Sequence, residues 1–220
     1  MIITRRAFTA ALSLTGLAVA AGLSPWRFLI GEAFAQSQVA ADVAKPQSLP
    51  DMALGPKDAA VTIIEYASMT CPHCAAFTEQ VFPKIKEAYI DTGKIRFVFR
   101  EFPLDIKAAA ASMLARCIAK DDPAKFFAAI DTLFRQQNNW YDKTTEGLTL
   151  IGKQAGLSAA DIDTCLKDQA LLDKIAADQK FANERLQVNS TPTFFINGEM
   201  IKGETSFEEF DKRIKALLKT

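Results

Sequence analysis

The 220-residue sequence has few side chains of the kinds that bind zinc or nucleic acid. It contains one histidine and four cysteines, and its 26 basic residues balance its 26 acidic residues. A structural zinc site needs four ligands, usually Cys or His, so it would use almost all of them. The sequence has no patch of mixed basic and aromatic residues of the kind that binds nucleic acid. We therefore expect no metal, no cofactor and no nucleic-acid partner.

The sequence also lacks a hydrophobic run long enough for a clear transmembrane span, which takes about 20 apolar residues. The uncharged run 7–23 is rich in Ala and Leu but also holds Thr, Ser and Gly. Arg5 and Arg6 precede it, and an Ala-Phe-Ala triplet ending at Ala35 has the form of a cleavage site. We interpret residues 1–35 as an export signal cleaved after Ala35. Export implies an oxidising compartment, which we take to be the periplasm.

The residues around the two arginines resemble a twin-arginine export signal, although Thr9 and Ala10 depart from its usual continuation. An ordinary secretory signal and an uncleaved anchor are the alternatives. Residues 36–54 show no periodicity and are rich in polar residues and proline. We interpret them as a flexible lead-in to the folded protein.

A Cys-Pro-His-Cys motif at positions 71–74 is the most informative stretch of the chain. Residues 61–66 before it are β-branched and aromatic without a breaker, which predicts a strand. Apolar residues recur every four positions from Phe77 to Tyr89, which predicts an amphipathic helix that Pro83 should kink. The two cysteines are therefore expected at the start of a helix that follows a buried strand.

Each residue of the motif has a chemical reason to be at a helix start. Cys71 would be the N-cap and the attacking, solvent-facing thiol, because a helix N-terminus favours the thiolate. Pro72 suits the first helical position, and a protonated His73 would add positive charge near the Cys71 sulfur. Cys74, one turn further, would be the buried resolving thiol. A low thiol pKa stabilises the reduced form, so the motif favours disulfide donation.

Two other interpretations of the motif are half of a zinc site and a purely structural disulfide. The zinc site would lack further ligands, because His73 is the only histidine and Cys117 and Cys165 lie far along the chain. The structural disulfide would constrain almost none of the chain, because the motif closes a very short ring.

The order of predicted elements after the motif indicates the fold class. A second strand follows the first helix, and the pattern is then helical from Asp105 to about Leu186. Strand character returns in two segments joined by Asn197-Gly198, a preferred hairpin turn, and a last helix follows. This order predicts an α/β thioredoxin fold with an inserted all-helical domain. The predicted boundaries are 55–104 and 187–220 for the thioredoxin domain and 105–186 for the insert.

Thr191-Pro192 lies directly before the third predicted strand. A proline at this place indicates a tight turn with a cis peptide bond, and a plain loop proline is the alternative. In the thioredoxin arrangement this loop lies beside the Cys71 sulfur. The backbone of Thr191 would then be free to pair with an extended substrate peptide.

The stretch from Glu65 to Cys74, taken with Thr191-Pro192, resembles the DsbA family of exported thiol–disulfide oxidoreductases. The resemblance covers about residues 52–220. It implies oxidation of cysteines in reduced, unfolded, newly exported polypeptides, through a mixed disulfide at Cys71. It also implies a quinone-linked membrane reoxidant of the DsbB type. We expect a monomer.

The resemblance also assigns a role to Glu65, which matches the family's buried acid beneath the active site. As a carboxylate, Glu65 could accept a proton from Cys74, directly or through water, and Arg100 could neutralise it. The alternative is a strand-end residue in solvent.

Two features differ from the strongest oxidases of the family. Thr191 stands where some of them carry Val, and isomerases and reductases of the superfamily often carry Thr there. A disulfide isomerase or reductase kept reduced by a membrane partner is therefore the alternative function, and a non-enzymatic peptide-binding protein is a third. The extra cysteines Cys117 and Cys165 both fall in the insert, where we expect a structural disulfide, since leftover cysteines of exported chains usually pair.

Overall fold

The computed structural model describes residues 38–45 and 47–219, so the export signal predicted for residues 1–35 lies outside the described residues. The strands of this part are β1 (Met52–Leu54), β2 (Val61–Ala67), β3 (Ile95–Glu101), β4 (Thr193–Ile196) and β5 (Glu199–Lys202). The first helices are α1 (residues 38–43), α2 (Pro72–Gln80) and α3 (Phe82–Ile85), which continues as a π-helical turn (Lys86–Ile90). The later helices are α4 (Ile106–Ala119), α5 (Pro123–Arg135), α6 (Gln137–Tyr141), α7 (Thr144–Gln154), α8 (Ala159–Leu166), α9 (Gln169–Leu186) and α10 (Phe207–Leu217).

The strands form one sheet in the order β1-β3-β2-β4-β5. The central strand β2 pairs parallel with β3 and antiparallel with β4, and the remaining pairs are antiparallel. Helices α4 to α9 all lie between β3 and β4 in the chain. The first half is therefore β-α-β, the second half is β-β-α, and a helical segment separates them. The predicted fold class, a thioredoxin fold with an all-helical insert, is confirmed. None of the helices within the described ranges is long and apolar enough to cross a membrane.

The sheet is buried on both faces, which explains why β2 is apolar almost throughout. One face packs against α2 and the insert in a core rich in phenylalanine. Phe77 of α2 lies within it, with its ring centroid 4.6 Å from that of Phe194 and 5.7 Å from that of Phe210. The other face is covered by α9 and α1, where Val43 and Ala182 belong to the same buried cluster.

The helix that begins at the CPHC motif is interrupted before Pro83. A proline ring clashes with the carbonyl four residues earlier and has no amide hydrogen to donate. Accordingly α2 ends at Gln80 and α3 begins at Phe82, with Val81 between them. The four-residue apolar period from Phe77 to Tyr89 therefore runs through two short helices and a π-helical turn, not through one continuous helix.

The prediction of a flexible lead-in at 36–54 is wrong for its described residues. Residues 38–43 are helical, and β1 pairs with β3. The thioredoxin part of the fold thus begins before residue 55. The physical reason is a long-range contact: the Arg100 guanidinium donates hydrogen bonds to the Val43 and Lys45 carbonyls, at 2.9 Å each.

The sequence analysis suggested Arg100 as a group that could neutralise Glu65, but Arg100 has other partners in the structure. Its guanidinium forms an ion pair with Asp51, at 2.9 Å from Nε to Oδ1, and donates to the Tyr66 hydroxyl at 2.8 Å. Adjacent residues of a strand point to opposite faces. Tyr66 and Glu65 therefore face opposite sides of the sheet, and Arg100 lies with Tyr66.

A buried ion pair joins the helical insert to the sheet. Arg116 of α4 donates Nε to Glu101 Oε1 at 2.5 Å and Nη2 to Oε2 at 2.8 Å, and its Nη1 donates to the Pro50 carbonyl at 2.8 Å. Both side chains are almost fully buried. Since a lone charge is costly in such a place, the two residues depend on each other.

We expect Glu101→Ala to lower the free energy of unfolding by about 3–5 kcal/mol, because it leaves the Arg116 charge buried without a partner. Denaturant unfolding measures this. The matched control is Asp163→Ala, which removes the partner of Lys167 from an exposed pair and should cost about 1 kcal/mol or less. Equal, small losses for both variants would contradict the structural role of the buried pair.

Cys117 of α4 and Cys165 of α8 are joined in the structure, with their Cα atoms 6.2 Å apart and a separation of 48 positions in sequence. The bond lies within the insert and links two of its helices. A loop of this length corresponds to about 4 kcal/mol of stabilisation in the chain-entropy model.

We expect the double variant Cys117→Ala/Cys165→Ala to lose stability by about that amount, about 4 kcal/mol. Its rate of oxidising a dithiol peptide should stay close to that of the unmodified protein, because the pair lies outside the CPHC motif. Peptide mapping without reductant should recover Cys117 linked to Cys165. A large loss of rate at unchanged stability would instead assign the pair a redox role.

Candidate active site

The start of α2 positions the two cysteines of the motif. A residue before proline is confined to extended backbone, and Cys71 accordingly has φ −82° and ψ 119° as the N-cap of α2. Pro72 occupies the first turn, where a missing amide hydrogen costs nothing. The Cys71 side chain makes no capping hydrogen bond, so its sulfur stays available at the end of the helix.

The loop between β2 and α2 is held by the segment that follows β3. Ser68 is fully buried, and its hydroxyl accepts a hydrogen bond from the Leu104 amide at 3.2 Å. The Thr70 hydroxyl donates to Asp105 at 2.7 Å, and Asp105 is also the N-cap of α4. The same turn therefore starts the insert and supports the active-site loop.

Gln137 of the insert also contacts the loop. Its side-chain amide donates to the Met69 carbonyl at 2.8 Å and to the Cys71 carbonyl at 3.2 Å. Sequence reasoning did not identify Gln137, because no local pattern distinguishes it from other polar residues of the insert. It ties the start of α2 to α6 across more than 60 residues of chain.

The predicted proline loop lies beside Cys71. The Thr191–Pro192 peptide bond is cis, and the Cys71 thiol donates to the Thr191 carbonyl at 3.3 Å. This contact helps to bury Cys71, which is only 5% exposed. The expectation of a solvent-facing thiol is therefore wrong for the reduced protein in this structure.

The site favours the Cys71 thiolate strongly. The pKa of Cys71 is lowered from its usual range to about 5, first by a hydrogen bond from the Cys74 thiol. A hydrogen bond from the Thr191 side chain and the backbone N–H groups of Cys74 and His73 add to the effect, while burial opposes it. The two backbone N–H groups are among the unpaired donors of a helix start, as the sequence predicted.

His73 contacts the site through its backbone, and its side chain has a partner of its own. It lowers the pKa of Cys71 through its backbone N–H, as one of the helix-start donors. Its imidazole Nδ1 lies 3.2 Å from Glu204 Oε2, and both side chains are exposed. Any positive charge on His73 is therefore partly neutralised by Glu204, a partner 131 residues away that no motif indicated.

The Thr191 hydroxyl is buried, and the Thr191 side chain helps to lower the pKa of Cys71. The Thr191 carbonyl accepts a hydrogen bond from the Cys71 thiol. Thr191 therefore acts on Cys71 through both its carbonyl and its side chain.

Cys74 and Glu65 lie beneath Cys71. Cys74 is 0% exposed and Glu65 is 2% exposed. Burial raises the pKa of Cys74 well above its usual value, and the hydrogen bond to Cys71 and the charge of Glu65 add to this. Burial also raises the pKa of Glu65, with a further contribution from Cys71. Both groups therefore favour their protonated forms.

The two cysteines of the motif are free thiols in this structure. Across residues 38–45 and 47–219, no group of three or more His, Cys, Asp or Glu side chains is arranged to hold a metal ion.

The comparisons with known proteins agree with this geometry. A family model described as Thioredoxin matches residues 47–216. The crystal structure of Wolbachia pipientis alpha-DsbA1 is similar at a TM-score of 0.74 and 34% identity, over 82% of this chain and 96% of that chain. This chain is a DsbA-type member of the thioredoxin family.

Two curated relatives of this DsbA-type chain carry related names. A Rickettsia bellii protein provisionally named a protein-disulfide oxidoreductase is 39% identical over 150 residues, which is 67% of this chain and 57% of that protein. Disulfide bond formation protein D of Bacillus subtilis is 28% identical over 170 residues, or 76% of each chain. The chain therefore spans little more than half the length of its Rickettsia relative.

We expect the thiolate absorbance of the reduced protein to rise with a midpoint near pH 5, where Cys71 loses its proton. The Cys71→Ser variant should lack this step. Because the folded-state pKa lies below the unfolded value of about 8.5, the Cys71 contribution to stability is present above pH 8.5 and is lost as pH falls through 5. A midpoint near pH 8 would contradict thiolate activation by the helix start.

Proposed function

We propose that this protein is a protein-disulfide oxidoreductase that donates the Cys71–Cys74 disulfide to cysteines of reduced, unfolded, newly exported proteins. The observation that carries the proposal is the pair of opposite pKa shifts: lowered at Cys71, at the start of α2, and raised at Cys74, one turn further. Such a pair has one good leaving group and one thiol that retains its proton.

The proposed reaction is two successive thiol–disulfide exchanges. A substrate thiolate attacks the Cys71 sulfur, the bond to Cys74 breaks, and Cys74 takes up a proton. A second substrate thiolate then attacks the substrate sulfur of the mixed disulfide, and Cys71 leaves as a thiolate. Two electrons pass from the substrate to the protein. Stabilisation of the Cys71 thiolate favours this direction.

The surroundings of Cys71 suit an unfolded polypeptide. The Thr191 carbonyl lies 3.3 Å from the sulfur, so an extended peptide that pairs with this loop would bring its cysteine to Cys71. Two large apolar side chains next to the active-site loop are exposed, Leu104 at 54% and Ile106 at 69%. They offer contacts that unfolded chains of any sequence can use.

The proposal includes a setting for the reaction. The protein would act as a monomer in the periplasm, after removal of residues 1–35. A quinone-linked membrane protein of the DsbB type would reoxidise the Cys71–Cys74 pair. An isomerase or reductase kept reduced by a membrane partner is the second candidate, because Thr191 lies beside Cys71. The reduction potential of the pair against a glutathione buffer separates the two functions.

We expect Cys74→Ala to accumulate mixed disulfides between Cys71 and substrate proteins, because no resolving thiol remains to release them. Affinity capture from cells, followed by non-reducing electrophoresis, measures the adducts. The control Cys71→Ser/Cys74→Ala should capture none. In parallel, the oxidised wild-type protein should convert a dithiol peptide to its disulfide. Absence of both adducts and peptide oxidation would overturn the proposal.

A further inference from the structure

The turn that follows β5 lies against the cis-proline loop. The Gly203 amide donates a hydrogen bond to the Pro192 carbonyl at 2.8 Å. Gly203 has φ 80°, a left-handed conformation that glycine adopts without steric cost. The Thr205 hydroxyl donates to the Gly203 carbonyl at 3.3 Å, and Ser206 is the N-cap of α10. The backbone of Glu204, which lies between these residues, is therefore held beside the cis-proline loop.

The side chain of Glu204 reaches the CPHC motif from this turn. Its Oε2 lies 3.2 Å from Nδ1 of His73, and both side chains are 63% exposed. A neutral imidazole can donate this hydrogen bond as well as a protonated one. In the described part of the chain, Oε2 is the atom of this carboxylate that has a partner, and Oε1 has none. One carboxylate oxygen at the edge of the active site is therefore available to an incoming cation.

Two lysines of the elements around the site are bound to other groups. The Lys202 ammonium, at the end of β5, donates to Asn189 Oδ1 at 3.0 Å. The Lys107 ammonium, in the first turn of α4, donates to the Tyr141 carbonyl at 2.9 Å and lies 4.0 Å from the centre of the same residue's ring. Neither lysine forms an ion pair with Glu204. The negative charge of Glu204 therefore has no lysine partner within residues 38–45 and 47–219.

We propose that Glu204 makes the protein prefer substrate segments that carry a lysine or arginine next to the reacting cysteine. The inference rests on the proposed function and names a substrate class for that same site. An extended peptide that pairs with the Thr191 loop would pass beside the turn that carries Glu204, because Gly203 is hydrogen-bonded to Pro192. A basic side chain of this peptide would then pair with the available carboxylate oxygen.

The size of the preference follows from the exposure of the carboxylate. An exposed ion pair contributes little in water, which corresponds to about a two- to fivefold change in a rate constant. Charges at the rim of an interface act mainly on the rate of association and make it depend on salt. Glu204 would thus determine which substrate segments react faster without changing the exchange chemistry at Cys71.

Three dithiol peptides test this proposal. They differ only in the residues that flank the two cysteines, which are all Lys, all Gln or all Glu. Each peptide is mixed in excess with the oxidised protein, and acid quench with thiol labelling gives the rate at which the Cys71–Cys74 disulfide is lost. Because the peptides differ in intrinsic reactivity, the informative quantity is the ratio of the Lys-peptide rate to the Glu-peptide rate, compared between protein variants.

We expect Glu204→Gln to lower this ratio about two- to fivefold relative to wild type, and Glu204→Lys to lower it further. At about 1 M salt, where the Debye length is about 3 Å, the wild-type ratio should approach that of Glu204→Gln. The matched control is Glu199→Gln, which makes the same change at the other end of β5 in a side chain that is also 63% exposed. Its ratio should stay at the wild-type value.

Equal ratios in wild type and Glu204→Gln would overturn the inference. The same rate change with all three peptides would also overturn it, because Glu204 would then act on Cys71 through His73 and not on the substrate. An equal fall of the ratio in Glu199→Gln would assign the preference to the net charge of the protein instead. A wild-type protein that oxidises none of the three peptides would overturn the proposed function.

Discussion

Unequal solvation of two sulfurs one helical turn apart is the physical condition on which the site depends. Pro72 keeps Cys71 extended at the helix start, where its sulfur meets free backbone donors. Cys74 lies one turn inside, where the core removes it from water. A single helix therefore stabilises a negative charge at one sulfur and a proton at the other.

The rest of the fold serves to keep that helix start in place. The parallel pairing of β2 and β3 sets the end of β2, from which the loop to α2 begins. The insert holds the same loop through Asp105 and Gln137. The active-site loop is thus held by hydrogen bonds that involve hydroxyl, carboxylate and amide side chains and the backbone. The charged side chains nearby, such as Glu204, are exposed and act only weakly.

The sequence predicted the fold class and the place of the motif because both depend on local patterns. Each signal that led to these predictions is set by residues close together in the chain. These signals are the alternating and four-residue periodicities, Pro72 after Cys71, and the turn Asn197-Gly198. The features that the sequence analysis did not predict, the ordered segment before β1 and the partner of His73, depend on contacts between residues far apart in the chain. Arg100 orders the segment before β1 from 55 residues away, and Glu204 pairs with His73 from 131 residues away. The periodicity of apolar residues gives no information about such contacts, because it reflects only neighbouring positions in the chain.

The hydrogen bonds of Gln137 have a consequence for local opening. Its helix, α6, has only five residues, and short helices are marginal without tertiary support. The Cys71 loop and α6 are joined by one side chain, so fraying of α6 removes two carbonyl contacts from the loop at once. Local opening of α6 would therefore also loosen the backbone at the start of α2. The hydrogen bond between Thr70 and Asp105 would still hold the other part of that loop.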